Sequence, residues 1–207
     1  MQIDLTGKTA LVTGSTEGIG YAIGRQLARA GADVVINGRS DEKTAKAGER
    51  LKDEGAKGTV TAIAADLATA EGCAALVAKL PRVDILINNA GIFQPSDFFD
   101  TSDEVWDLHW QVNVMSAIRL SRAYLPSMEK ANWGRVIFIA SESGFNIPVE
   151  MIHYGVSKTA RHRRRSRTCQ AYGRHRRYCK LGFARSHSLG RCRSDACRRA
   201  GENGEVN

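Results

Sequence analysis

The chain has 207 residues, 43% of them hydrophobic and 25% charged, the balance of one water-soluble domain with length for a substantial core. No run approaches the roughly 20 apolar residues of a membrane span, and the opening MQIDLTGKTALVTG has no basic and apolar leader, so a cytoplasmic protein without a membrane partner is expected. The net charge of +8 misleads about partners, because residues 1–160 hold 16 Lys+Arg against 19 Asp+Glu, and residues 161–207 hold 14 against 3. Cysteine divides the same way. Cys73 stands alone before residue 160, as suits a reducing compartment, while Cys169, Cys179, Cys192 and Cys197 crowd the end of the chain.

The first 160 residues alternate strand and helix. Lys8 to Thr13 is a short apolar run closed by glycine, as a buried parallel strand would be. Ile19 to Ala30 has apolar residues at helical spacing and is followed by Gly31, a stop signal. Asp33 to Asn37 predicts a second strand, Asp41 to Asp53 an exposed helix, Thr59 to Ala65 a third strand and Thr69 to Lys79 a helix. Val83 to Ile87 is a fourth strand. A long helical stretch, with room for a bend, runs from Ser102 to Lys130. Arg135 to Ala140 is a fifth strand, and Tyr154 opens another helix. This alternation predicts right-handed βαβ units and an α/β fold, a doubly wound parallel sheet covered on both faces.

Two groups of residues carry chemistry. TGSTEGIG, Thr13 to Gly20, falls where the first strand meets the first helix. Gly14 permits a tight turn, Gly18 lets backbone approach a pyrophosphate, and Gly20 lets helix and sheet pack closely. The free N–H groups and dipole of the helix N-terminus favour phosphate. Tyr154 and Lys158 stand at i and i+4, on one helix face. A phenol, with a pKa near ~10, exchanges protons poorly at neutral pH. An adjacent ammonium favours the phenolate and fits the tyrosine for general acid or base work. Ser141 can donate a hydrogen bond to a carbonyl oxygen as negative charge develops there.

TGxxxGIG, then NNAG at Asn88 to Gly91, Asn113, Ser141 and YxxxK at Tyr154 and Lys158, in this order and spacing, resemble the short-chain dehydrogenase/reductase family over residues 5–160. The resemblance implies a Rossmann fold and an NAD(P)-dependent oxidoreductase acting on a small-molecule alcohol or carbonyl substrate. It implies Asn113, Ser141, Tyr154 and Lys158 as the catalytic group. The dinucleotide would lie against Gly14, Ser15, Thr16, Gly18, Ile19 and Gly20, Arg39, Asp66 and Leu67, Asn89, Ala90 and Gly91, and again Tyr154 and Lys158. A homo-oligomer is implied for an intact relative, and no metal. Gly38 stands where an acidic residue would hold the 2′-hydroxyl of NAD, and Arg39 follows. A guanidinium there suits the 2′-phosphate of NADP. Glu17 argues for NAD; NADP is favoured and NAD is the alternative. Ser143 competes with Ser141 for the same role. His153 reads as a substrate-pocket or surface histidine, Trp106, Trp110 and Phe98 as core or subunit contacts. Phe93, Gln94 and residues 145–149 are candidates for the substrate wall.

The pattern stops after Ala160. RHRRRSR has no apolar face, there is no proline after Pro148, and no strand-like alternation follows. A sixth strand and a Pro-Gly loop against the nicotinamide, which the resemblance calls for, are not legible. Out-of-frame translation of a GC-rich gene would give this Arg, Ser, Cys and His composition. A nucleic-acid-binding arm is poorly supported, with only Tyr172, Tyr178 and Phe183 for stacking, and no specific nucleic acid is expected. A metal site from Cys192 and Cys197 lacks a second pair. The expectation is a Rossmann sheet, residues 1–160, incomplete at its C-terminal end, followed by a basic tail, residues 161–207, that is disordered or out of frame, with impaired activity. Its alternative is a non-catalytic nucleotide-binding remnant.

Overall fold

The structure, a computed structural model, describes residues 3–160 and the backbone of Cys179–Ala184. β1 (Thr9–Val12), β2 (Asp33–Gly38), β3 (Val60–Ala64), β4 (Ile85–Asn88), β5 (Arg135–Ser141) and β6 (Cys179–Ala184) form one sheet in the order β3-β2-β1-β4-β5-β6. All five pairings are parallel. Helices α1 (Gly18–Arg29), α2 (Asp41–Asp53), α3 (Ala70–Lys79), α4 (Asp103–Trp110) and α5 (Ser116–Lys130) make the crossovers, and α6 covers 152–160.

Both sheet faces are buried because consecutive strand residues point opposite ways. Leu11, Val35, Leu86, Val136 and Phe138 join Leu76, Leu120, Tyr124 and Met128 of α3 and α5 in one core. Ala10, Val12, Val34, Ile36, Ile85 and Ile87 join Tyr21, Ala28, Ala47 and Leu51 of α1 and α2 in the other. Each fully buried Leu or Ile contributes about 1.5–3 kcal/mol over the exposed state. The strand order reverses between β1 and β4, and the turns after these strands open the crevice in which such sheets hold ligands.

Two expectations are corrected. The bend in the long helix is a π-helical segment, Gln111–Met115, between α4 and α5. One extra residue per turn rotates Asn113 inward, where it is fully buried. A sixth strand does exist: β6 pairs with β5 from Val136↔Cys179 to Ser141↔Ala184. Cys179, Leu181 and Phe183 alternate along this short run, and the ladder joins it to the edge that β5 offers. The remaining readings of residues 161–207, namely the nucleic-acid arm, the metal site and a disordered end, lie outside the described residues. Among the described residues no helix is long and apolar enough to cross a membrane.

Candidate active site

The turn after β1 is built from polar groups at strand ends. Thr13 Oγ1 donates to the Ile87 carbonyl at 3.2 Å and accepts from the backbone N–H groups of Asn89 at 3.0 Å and Ala90 at 2.9 Å. Asn89 Nδ2 donates to the carbonyls of Thr13 at 2.9 Å and Gly14 at 2.8 Å. Asn37, at the end of β2, donates to the Ile63 carbonyl at 3.1 Å and accepts from Gly14 N–H at 3.4 Å. Thr13, Asn37 and Asn89 thus tie the loops after β1, β2, β3 and β4 into one rim. Motif spacing does not mark Thr13 and Asn37 for this role; the signal in the sequence is a polar residue closing an otherwise apolar strand.

Gly14 and Gly18 both have positive φ, 59° and 56°. At Gly20 a Cβ would collide with Asn89 Nδ2 and the Gly14 carbonyl, so the start of α1 presses directly on the turn. The N-terminus of α1 has no side-chain cap and no acidic residue in its first turn. By contrast, Ser40 Oγ caps α2 and Thr69 Oγ1 caps α3, both with acidic first turns. The unsatisfied N–H groups of α1 are therefore open to an anion. Ser15 does not share in this. It is fully buried, its N–H donates to the Asn37 carbonyl, and its Oγ donates to Val12 O at 2.6 Å and accepts from Asn37 N–H at 3.0 Å. Its side chain braces the turn.

On the other side of the rim, α6 carries Tyr154 and Lys158. Lys158 is 5% exposed, and its Nζ lies 5.3 Å from the Tyr154 ring centroid and 3.5 Å from the Ile139 carbonyl. Ser141 ends β5, and its Oγ accepts from Ser143 N–H at 3.2 Å, holding the short turn that follows. Asn113 Nδ2 donates to Ile92 O at 3.0 Å and Ser157 Oγ at 2.9 Å, while Oδ1 accepts from Ile92 N–H at 2.8 Å. A Cβ on Gly91 would sit 3.2 Å from Asn113 Oδ1 and 3.3 Å from Lys158 Nζ. Glycine there lets both side chains close on the backbone after β4.

One cleft of about 1430 Å³ runs between these two halves. Gly14, Thr16, Ile19, Gly20, Arg39, Asp66 and Leu67 line one end and Ser141, Tyr154 and Lys158 the other, with Asn89, Ala90 and Gly91 of the turn after β4 between them. Of the residues expected at the site, Ser15, Gly18 and Asn113 are absent from the lining. Gly18 shapes the turn and Asn113 secures the β4 loop from behind. Ser143 lines the cleft beside Ser141, as do Phe93, Phe145, Asn146 and Pro148; Gln94, Ile147, Val149 and His153 do not. His153 is neither a pocket nor a surface histidine: it is 2% exposed and packs against Trp106 and His109.

This geometry agrees with comparisons to known proteins. Residues 8–176 match the family model described as short chain dehydrogenase. The chain belongs to the short-chain dehydrogenase family. It is 50% identical over 159 residues to the uncharacterized oxidoreductase YvaG of Bacillus subtilis, covering 77% of this chain and 60% of that protein. It is 43% identical over 163 residues to YvrD of the same organism, covering 77% and 61%. Among solved structures, L-sorbose reductase from Gluconobacter frateurii, complexed with NADPH and L-sorbose, aligns with a TM-score of 0.77 at 31% identity, covering 83% of this chain and 66% of that one. The NADP-bound 3-oxoacyl (acyl-carrier-protein) reductase from Agrobacterium tumefaciens aligns with a TM-score of 0.77 at 30% identity, covering 87% and 69%. The chain spans about three fifths of the length of these curated family members.

Proposed function

We propose that residues 1–160 are the dinucleotide-binding and proton-transfer part of an NADP-dependent oxidoreductase that interconverts an alcohol and a carbonyl. The observation that carries this reading is a single cleft with an uncapped helix N-terminus and Arg39 at one end and Ser141, Tyr154 and Lys158 at the other. The residues present fit the dinucleotide. Glycines leave room where a Cβ would fill the cradle at Gly20 and Gly91, the α1 N–H groups suit a pyrophosphate, and the Arg39 guanidinium suits a 2′-phosphate.

Bound NADPH would supply a hydride to the carbonyl carbon. The chain's own residues handle the oxygen. Ser141 donates a hydrogen bond to it and Tyr154 delivers the proton in reduction, or removes it in oxidation. Lys158, held between Ile139 O and the Tyr154 ring, sets its ammonium group beside the tyrosine that handles the proton. Asn113 does not touch the reacting atoms. It fixes Ile92 against Ser157, and so the β4 loop against α6.

We further propose that the chain after about residue 160 is an out-of-frame reading. One base along, the genetic code confines the codons starting at Tyr178 through Phe183 to Ile or Thr; Val or Ala; Asn or Ser; Leu, Ser or Trp; Val, Ala, Gly or Asp; and Leu or Ser. That is a strand-like run, and Ala184 with Arg185 then permits Pro-Gly. A second reading, a nucleotide-binding remnant without turnover, is favoured for the 207-residue chain itself, because the adenine half of the cleft lies within residues 1–160 and the nicotinamide wall does not. Sequencing the gene across codon 160 and expressing both frames tests this. The in-frame protein is expected to reduce carbonyls with NADPH and to lose that activity in Tyr154→Phe. Absence of an apolar helix and Pro-Gly in either shifted frame would sink the frameshift, and unchanged activity in Tyr154→Phe would sink the assigned chemistry.

A further inference from the structure

The cleft wall after β4 is pinned at every second residue. Ile92 is held in both directions by Asn113. The Gln94 carbonyl faces His153 Nε2 at 3.0 Å, and Ser96 N–H donates to the Glu150 carbonyl at 2.9 Å. Phe93 lines the cleft, and its ring meets the edge of Tyr154 with centroids 6.2 Å apart. Of these three pins, the middle one is made by a side chain of α6, one residue before Tyr154.

The chemistry of that pin is defined. A carbonyl only accepts, so His153 must carry its proton on Nε2. His109 stacks edge-on at 4.3 Å between centroids, with its Nδ1 2.8 Å from the Val105 carbonyl, which places its own proton on Nδ1. The two imidazoles are 1% and 2% exposed, and His109 Nε2 has no hydrogen-bond partner among the described residues. Two carbonyls thus place a ring proton on Nε2 of one imidazole and on Nδ1 of the other, in a dry pair.

We propose that His153 is a positioning residue of this site. Its Nε2–H holds the Gln94 carbonyl so that Phe93 stands against Tyr154, and the His109 ring, itself anchored to Val105, holds the imidazole in that orientation. This rests on the proposed role of Tyr154 but is read without turnover.

The experiment compares the full-length chain with His153→Phe, which keeps a ring and loses the donor, and His153→Gln, which keeps a donor at about the same reach. Amide hydrogen exchange is followed in peptides spanning residues 92–96. His153→Phe is expected to exchange about threefold to tenfold faster there, the loss of one net hydrogen bond, with β1 and β2 unchanged, and His153→Gln to match the parent. Unchanged exchange in His153→Phe, or equally fast exchange in both variants, overturns the proposal. Should His153→Phe lose protection throughout, His153→Gln and imidazole nitrogen NMR of the parent chain decide, and a His153 proton on Nδ1 instead of Nε2 overturns it. NADPH titrations of the same samples are expected to agree. Failure of all of them to bind NADPH counts against the proposed function, not against the pin.

Discussion

Substituting alanine at Gly20 and, separately, at Gly18 distinguishes two reasons for glycine in one motif. At Gly18 a Cβ meets nothing within 4 Å, and the only penalty is the left-handed φ of 56°, about 1–2 kcal/mol for an L-residue. At Gly20 the backbone is ordinary, but the Cβ collides with the Gly14 carbonyl and with Asn89 Nδ2. Neither can yield freely, since that amide donates to both Thr13 O and Gly14 O. Losing those two bonds costs about 1–3 kcal/mol together, and forcing a methyl group into a packed contact costs about 1–3 kcal/mol more. Gly20→Ala is therefore expected to destabilise by roughly 2–6 kcal/mol and to weaken NADPH binding by about tenfold or more, because the displaced atoms belong to the proposed phosphate cradle. Urea unfolding gives the first quantity and fluorescence titration with NADPH the second. A Gly20→Ala protein as stable and as tightly binding as Gly18→Ala would refute the close contact between α1 and the turn.

Other outcomes follow from the buried titratable groups. Burial pushes His109 below the usual imidazole value, against a smaller opposing effect of the Val105 carbonyl and with the least effect, also lowering, from His153. The unfolded chain then binds the proton first, so this contribution to stability is complete above about pH 6.5 and is lost as pH falls through the lowered value. The urea midpoint should drop more steeply between pH 7 and 5 in the parent chain than in His109→Phe, and parallel curves would contradict this. Tyr124 is pushed up to about 12 by burial, and its hydroxyl donates to the Leu80 carbonyl at 2.9 Å. A raised value gives stability that is complete below the ordinary tyrosine range and lost as pH rises toward 12. Tyr124→Phe should remove the last-titrating phenolate absorbance and cost about 1 kcal/mol at neutral pH. An unchanged titration would place Tyr124 in solvent.

The strands from β1 to β5 are legible in the sequence to within a residue or two because each is a short run between turn signals, mostly apolar and, except for the edge strand β3, largely buried. The π-helical segment at Gln111–Met115 is not, since its side chains keep an ordinary helical pattern and only the hydrogen bonding changes register. β6 escapes because the alternation of Cys179, Leu181 and Phe183 is short and set among basic residues. At the site, motif spacing locates Tyr154, Lys158, Ser141 and the glycine turn. It cannot say which way a small polar side chain turns, so Ser15 is expected at the cofactor when its hydroxyl serves Val12 and Asn37. His153 is misread for the opposite reason. Its neighbours Trp106 and His109 lie more than forty positions away in the chain, and nothing local marks it as buried.

The most direct test of the proposed function is a fluorescence titration of the full-length chain with NADPH and with NADH, alongside Arg39→Ala. Saturable NADPH binding, tighter than NADH binding, is expected in the parent chain. That preference should be lost in Arg39→Ala, where the partner of the 2′-phosphate is gone. No saturable binding of either dinucleotide, or a preference for NADPH that survives Arg39→Ala, would contradict it.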